Sequence, residues 1–134
     1  MMRIAYVSTD EVDQALAAQM AAECGAVVCT LLPQDPPHDG LFDAVLYNLD
    51  DMPRDERAAL LDELRRRQPD RPTAVHGYDI TVEQARALNR DGVAAARRLH
   101  PGLIRSLLTA ARRDRETVPP GDAGTDLTWV NLDR

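Results

Sequence analysis

A chain of 134 residues, 44% hydrophobic and 28% charged, suits one soluble domain built around a single core. A net charge of −6 disfavours general nucleic-acid binding, which works by neutralising phosphates with a basic surface. No apolar run approaches the roughly 20 residues needed to span a membrane.

No basic n-region precedes an apolar stretch, so no signal peptide is expected. Cys24 and Cys29 form neither a disulfide framework nor a metal-ligand spacing, and are expected to be reduced residues of a cytoplasmic protein. All 16 basic residues are arginine. The chain has no lysine, and any chemistry that needs a lysine ammonium is excluded.

Arg3 to Ser8 reads as the first strand. Ser8 and Glu11 have the spacing of a capping box, and the helix after them is expected to bury Val12, Leu16, Met20 and Cys24, with Ala17 and Ala21 beside them. Gly25 is placed to stop that helix. Ala26 to Leu32 is a second strand. Pro33 to Phe42 carries three prolines and Gly40 with no helical period, so a loop is expected there.

Ala44 to Leu49 is a short apolar run that reads as a strand buried on both faces. Asp50 or Asp51 can then cap a helix with Pro53 in its first turn and Leu60, Leu61 and Leu64 inward, ending in Arg65-Arg66-Arg67. Pro72 to Tyr78 is a fourth strand. Thr81 to Gln84 is a second capping box, opening a helix with Val82, Ala85 and Leu88 inward and Gly92 as its stop. Val93 to Leu99 is a fifth strand, and His100-Pro101 starts a helix with Leu103, Ile104, Leu107, Leu108 and Ala111 on one face.

The alternation of strand and helix patterns is that of an α/β parallel sheet. Residues 1–116 are expected to form this domain. Residues 117–134 are expected to form a Pro/Gly linker and a tail whose Trp129 folds back on the body or docks on another protein.

In an open parallel sheet, ligands sit beyond the carboxyl ends of the strands. That draws attention to Phe42-Asp-Ala-Val-Leu-Tyr-Asn-Leu-Asp-Asp-Met-Pro53. The stretch resembles the central strand of the two-component response-regulator receiver domain, with its run Asp-x-Val-Leu-x-Asp-x-x-Met-Pro. The resemblance covers about Arg3 to Arg113. It implies a flavodoxin-like, doubly wound sheet of five parallel strands in the order 2-1-3-4-5, here with the second helix missing or replaced by the proline-rich loop.

Matched position by position, the resemblance also implies altered chemistry. Asn48 holds the place of the phospho-accepting aspartate, and an amide cannot form an acyl phosphate. Ser8 and Thr9 hold the places of the acidic pair that carries magnesium, with Asp10 one step late. The hydroxyl residue after the fourth strand is matched by Gly77 or His76, the lysine by His100, and the switch aromatic by Ala96. This is the pattern of a pseudo-receiver: a degenerate phosphoacceptor pocket with no catalytic residues, metal or cofactor, on a domain that acts in signal transduction through a protein partner or as a homodimer.

Two alternatives stand beside it. Asp50, which shares strand parity with Asn48, or Asp51 takes over as acceptor. Or the domain binds a small anion over the Ser8–Glu11 and Asn48–Asp51 loops, where helix N-termini offer free N–H groups. His38, His76 and His100 form no metal spacing, and no Gly-rich phosphate loop or nucleophile elbow occurs.

Overall fold

The computed structural model describes residues 1–33, 41–66 and 70–117. The chain runs β1 (Met2–Val7), α1 (Glu11–Glu23), β2 (Ala26–Leu31), β3 (Ala44–Asn48), a 3-10 turn (Leu49–Asp51), α2 (Arg54–Arg66), β4 (Thr73–His76), α3 (Val82–Arg90), β5 (Val93–Ala96) and α4 (Pro101–Thr117). All five strands are parallel, in the order 2-1-3-4-5. β5 ends at Ala96 rather than Leu99 because, among the described residues, it is an edge strand paired with β4 alone, and β4 ends at His76.

Helices cover both faces of the sheet, as buried strands require. On one face Ile4, Tyr6, Leu46 and Ala74 pack against Ala17 and Ala21 of α1 and against Leu103, Ile104, Leu107, Leu108 and Ala111 of α4. On the other, Ala5, Val7, Val45 and Val75 meet Leu64 of α2, Leu88 of α3 and Ile80 of the loop before α3.

The inward stripe expected for α1 holds at Met20 and Cys24, which are partly buried against the core, and is corrected at its start. Val12 and Leu16 are 69% and 40% exposed, while Ala17 and Ala21 are fully buried. Small side chains let a helix lie close on a sheet, so the alanines set the line of contact and the larger residues at the helix start point to solvent. Val82 likewise faces outward at 59% exposure.

The caps differ in the same way. Asp10, not Ser8, caps α1, its carboxylate accepting from Val12 N and Asp13 N. Neither Asp50 nor Asp51 caps α2, because a 3-10 turn capped by Asn48 intervenes and the Pro53 carbonyl receives the Arg57 N–H. The Thr81–Gln84 box is present in both directions. Gly25 and Gly92 end their helices at φ of +76° and +84°, a backbone region that favours glycine.

Residues 34–40 lie outside the described residues, and the described part of the connection from β2 to β3 contains no helix. Ala5, Val7 and Val45 are buried, and exposure near this side is found at Val27, Leu32 and Leu41. His38, the Pro119–Gly124 linker and the Trp129 tail also lie outside the described residues.

Candidate functional site: the carboxyl edge of β1, β3 and β4

Three side chains lie across the top of the sheet on the α1/α4 side. The ladder pairs Asn48 with His76 and, in turn, with Ala96. Ser8 follows the last residue of β1, beside Asn48. All three polar residues are buried: Ser8 at 0%, Asn48 at 1% and His76 at 2% exposure. Buried polar groups must find partners, and here they find one another and the loops above.

Asn48 is saturated. Its Nδ2 donates to Ser8 Oγ and to Asp13 Oδ2, both at 3.2 Å, and its Oδ1 accepts from Asp50 N at 3.0 Å. Ser8 Oγ donates to Asp51 Oδ2 at 2.8 Å and also accepts from Asp10 N. The same Asp51 oxygen receives Thr9 N at 2.6 Å. Asp50 Oδ1 receives Tyr78 N at 3.1 Å. The loops after β1, β3 and β4 are therefore tied together by carboxylates that accept backbone N–H groups.

The position of Asp50 is corrected. β3 stops at Asn48 and the chain enters the 3-10 turn, so alternating strand parity does not extend to residue 50. His100 also takes another role: it is exposed, and its Nδ1 accepts from Leu103 N at the start of α4. It does not join the pocket.

Two residues of this site carry no signal in the sequence pattern. Asp13, on the first turn of α1, reads there as a carboxylate favoured by the helix dipole. Its packing beside Asn48 is tertiary. Burial, and then the carboxylate of Asp10, push its carboxyl above the ordinary range. Tyr6 reads as a core strand residue, yet its hydroxyl lies 2.6 Å from His76 Nε2. Burial, followed by the charge of Asp13, raises the Tyr6 phenol well above its usual value, and burial lowers His76. Both stay neutral at pH 7, and the direction of the bond between them follows the tautomer of the His76 imidazole.

Of the two residues matched to the receiver hydroxyl, His76 stands in the row of Asn48, while Gly77 follows it and donates its N–H to Ala96 O. Gly77 is required for a steric reason. A Cβ there would lie 2.9 Å from the Leu49 Cβ, an atom fixed close to its backbone. We expect Gly77→Ala to displace the 3-10 turn and cost about 1–3 kcal/mol, read as a lowered denaturation midpoint. An unchanged midpoint would show that the turn yields freely.

The edge gathers Asp10, Asp13, Asp50 and Asp51, but among the described residues no group of His, Cys, Asp or Glu has an arrangement able to hold a metal ion. No described helix is long and apolar enough to cross a membrane.

No protein-family model matches the chain, and no curated protein matches it by sequence. Solved structures match it by shape. A CheY-like response regulator receiver domain protein of Methanospirillum hungatei superposes with a TM-score of 0.64 at 15% identity, over 87% of this chain and 98% of that one. A response regulator receiver protein of Pseudoalteromonas atlantica gives 0.61 at 12% identity, over 84% and 98%. A pilus assembly protein, CpaE, of Burkholderia thailandensis gives 0.58 at 21% identity, over 84% and 99%. With the parallel sheet in the order 2-1-3-4-5, these matches give the chain the fold of the response-regulator receiver domain.

Proposed function

We propose that the domain is a pseudo-receiver, a signalling module that works in the cytoplasm by binding a protein partner and not by accepting a phosphoryl group. One observation carries this reading. At the place of the acceptor stands a buried amide, Asn48, with both N–H groups and its oxygen already bonded. The surroundings agree: there is no lysine in the chain, and His100, in the lysine's place, caps α4.

The alternative acceptors are engaged elsewhere. One oxygen of Asp51 holds Ser8 and Thr9, and one of Asp50 holds Tyr78. Phosphorylating either would turn the charged acceptor of a loop tie into a neutral, weaker one, and the chain has no lysine to hold the transferred group. An enzyme reading has no support in this set of residues. The fold alone serves many functions.

The test is incubation of the full chain with acetyl phosphate, or with beryllofluoride, in the presence of Mg²⁺. The expected result is no mass increase and no change in the amide spectrum around Asn48 to Asp51. Stoichiometric modification, lost on Asp50→Asn or Asp51→Asn, would replace this reading with an atypical phosphorylated receiver.

A further inference from the structure

On the face of the sheet opposite Asn48, the chain leaves a cleft of about 310 Å³ between α2 and α3. Its apolar wall is made by Leu49, Leu61 and Ile80, and its polar wall by Arg54, Arg57 and Gln84. That size is at the lower end of small-molecule sites, which combine an apolar lining with a few placed polar groups. No loop tie described above passes through it.

The polar wall is cationic and incompletely used. Arg57 donates from Nη1 to Asp79 Oδ2 at 2.8 Å and from Nη2 to Met52 O at a long 3.4 Å. Its Nε is buried with no hydrogen-bond partner. A buried donor left unpaired is costly, so this guanidinium has capacity for a further acceptor. Arg54, one turn earlier on α2 and exposed, adds a second positive charge. Both arginines lie in the first turn of a 13-residue helix, where the dipole also favours an anion. The opposing charge in the lining is Asp79, itself 75% exposed and held by Arg57.

We propose that this cleft binds a small organic anion, a carboxylate carried on a flat apolar body, with the carboxylate on Arg54 and Arg57 and the body against Leu49, Leu61 and Ile80. An anion here displaces Asp79 and takes over the Nη1 donor that Asp79 now holds. Because Leu49 and Gly77 line the cleft and directly follow Asn48 and His76, the ligand contacts the back of the same turn that closes the degenerate acceptor pocket. The inference does not depend on whether Asn48 resists phosphorylation, and the two experiments read opposite faces of the sheet.

The test is titration of the isotope-labelled full chain with 2-naphthoate, beside neutral 2-naphthamide and inorganic phosphate. Naphthoate is expected to give saturable shifts at the Arg57 Nε–H and at the amides of Leu49, Gly77, Ile80 and Gln84. Naphthamide and phosphate are each expected to bind about tenfold more weakly, one lacking the charge and the other the apolar body. Arg54→Gln, at an exposed position that leaves the fold intact, is expected to weaken naphthoate about tenfold. Asp79→Asn removes the competing carboxylate and is expected to tighten it severalfold, which nonspecific binding would not do. Absence of saturable naphthoate shifts overturns the proposal, and so does equal binding of naphthamide or an unchanged affinity in both variants.

Discussion

Asn48→Asp, which places a buried carboxylate at the end of β3, is expected to destabilise the protein at pH 7 by about 2–4 kcal/mol, lowering its melting temperature by roughly 10 °C. Asn48 is 1% exposed and donates to Asp13 Oδ2 at 3.2 Å. An aspartate there replaces a donor with a negative oxygen against a carboxylate that burial already disfavours. Two like charges at that distance cannot both ionise, so one carboxyl of the pair titrates well above its unfolded value.

The sign of the pH dependence follows. The folded variant binds a proton that the unfolded chain, with carboxyls near 3.9, has released. The penalty is therefore full above the pair's raised folded pKa and fades as pH falls toward the unfolded value. Melting temperatures of both proteins between pH 7.5 and 4.5 measure this, with the gap expected to close on acidification. A constant gap would place Asp13 away from Asn48. The pseudo-receiver reading also expects the variant to remain unmodified by acetyl phosphate, since the missing lysine is not restored.

The second large effect lies beneath the first, at the Tyr6–His76 bond. Tyr6→Phe leaves the buried His76 Nε2 without its 2.6 Å hydrogen-bond partner and is expected to cost about 1–3 kcal/mol. His76 itself makes the native protein acid-sensitive. Burial holds its folded pKa below the ordinary value of 6.5, with Asp13, Asp50 and Asp51 pulling the other way. Below about pH 6.5 the unfolded imidazole takes a proton that the folded one refuses, so stability falls as pH drops toward the folded pKa.

Asp13, whose folded carboxyl is raised, works in the opposite direction at lower pH. His76→Gln keeps a hydrogen-bonding group beside the tyrosine and removes the imidazole. Its stability profile between pH 7.5 and 5.5 is expected to be flatter than that of the native protein. Parallel profiles would mean that His76 titrates as freely as it does in the unfolded chain.

The sequence by itself determined the alternating strands and helices, the inward face of α4, the stops at Gly25 and Gly92 and the Thr81–Gln84 box, because each depends on local period or backbone freedom. It also drew attention to Asn48, through a motif contiguous in the chain, and the structure places that residue at the carboxyl end of β3. Tertiary structure decided what local rules leave open. The close approach of α1 to the sheet selects Ala17 and Ala21 over Val12 and Leu16 as its buried face. Asp10, Asp50 and Asp51 are all acidic residues near helix starts, and capping chemistry treats them alike. Only the convergence of three loops assigns Asp10 to α1, Asp51 to Ser8 and Thr9, and Asp50 to Tyr78. Asn48 meets Asp13 35 residues away, and Tyr6 meets His76 at a separation of 70. Such contacts come from strand order and register, and no periodicity within one segment encodes them.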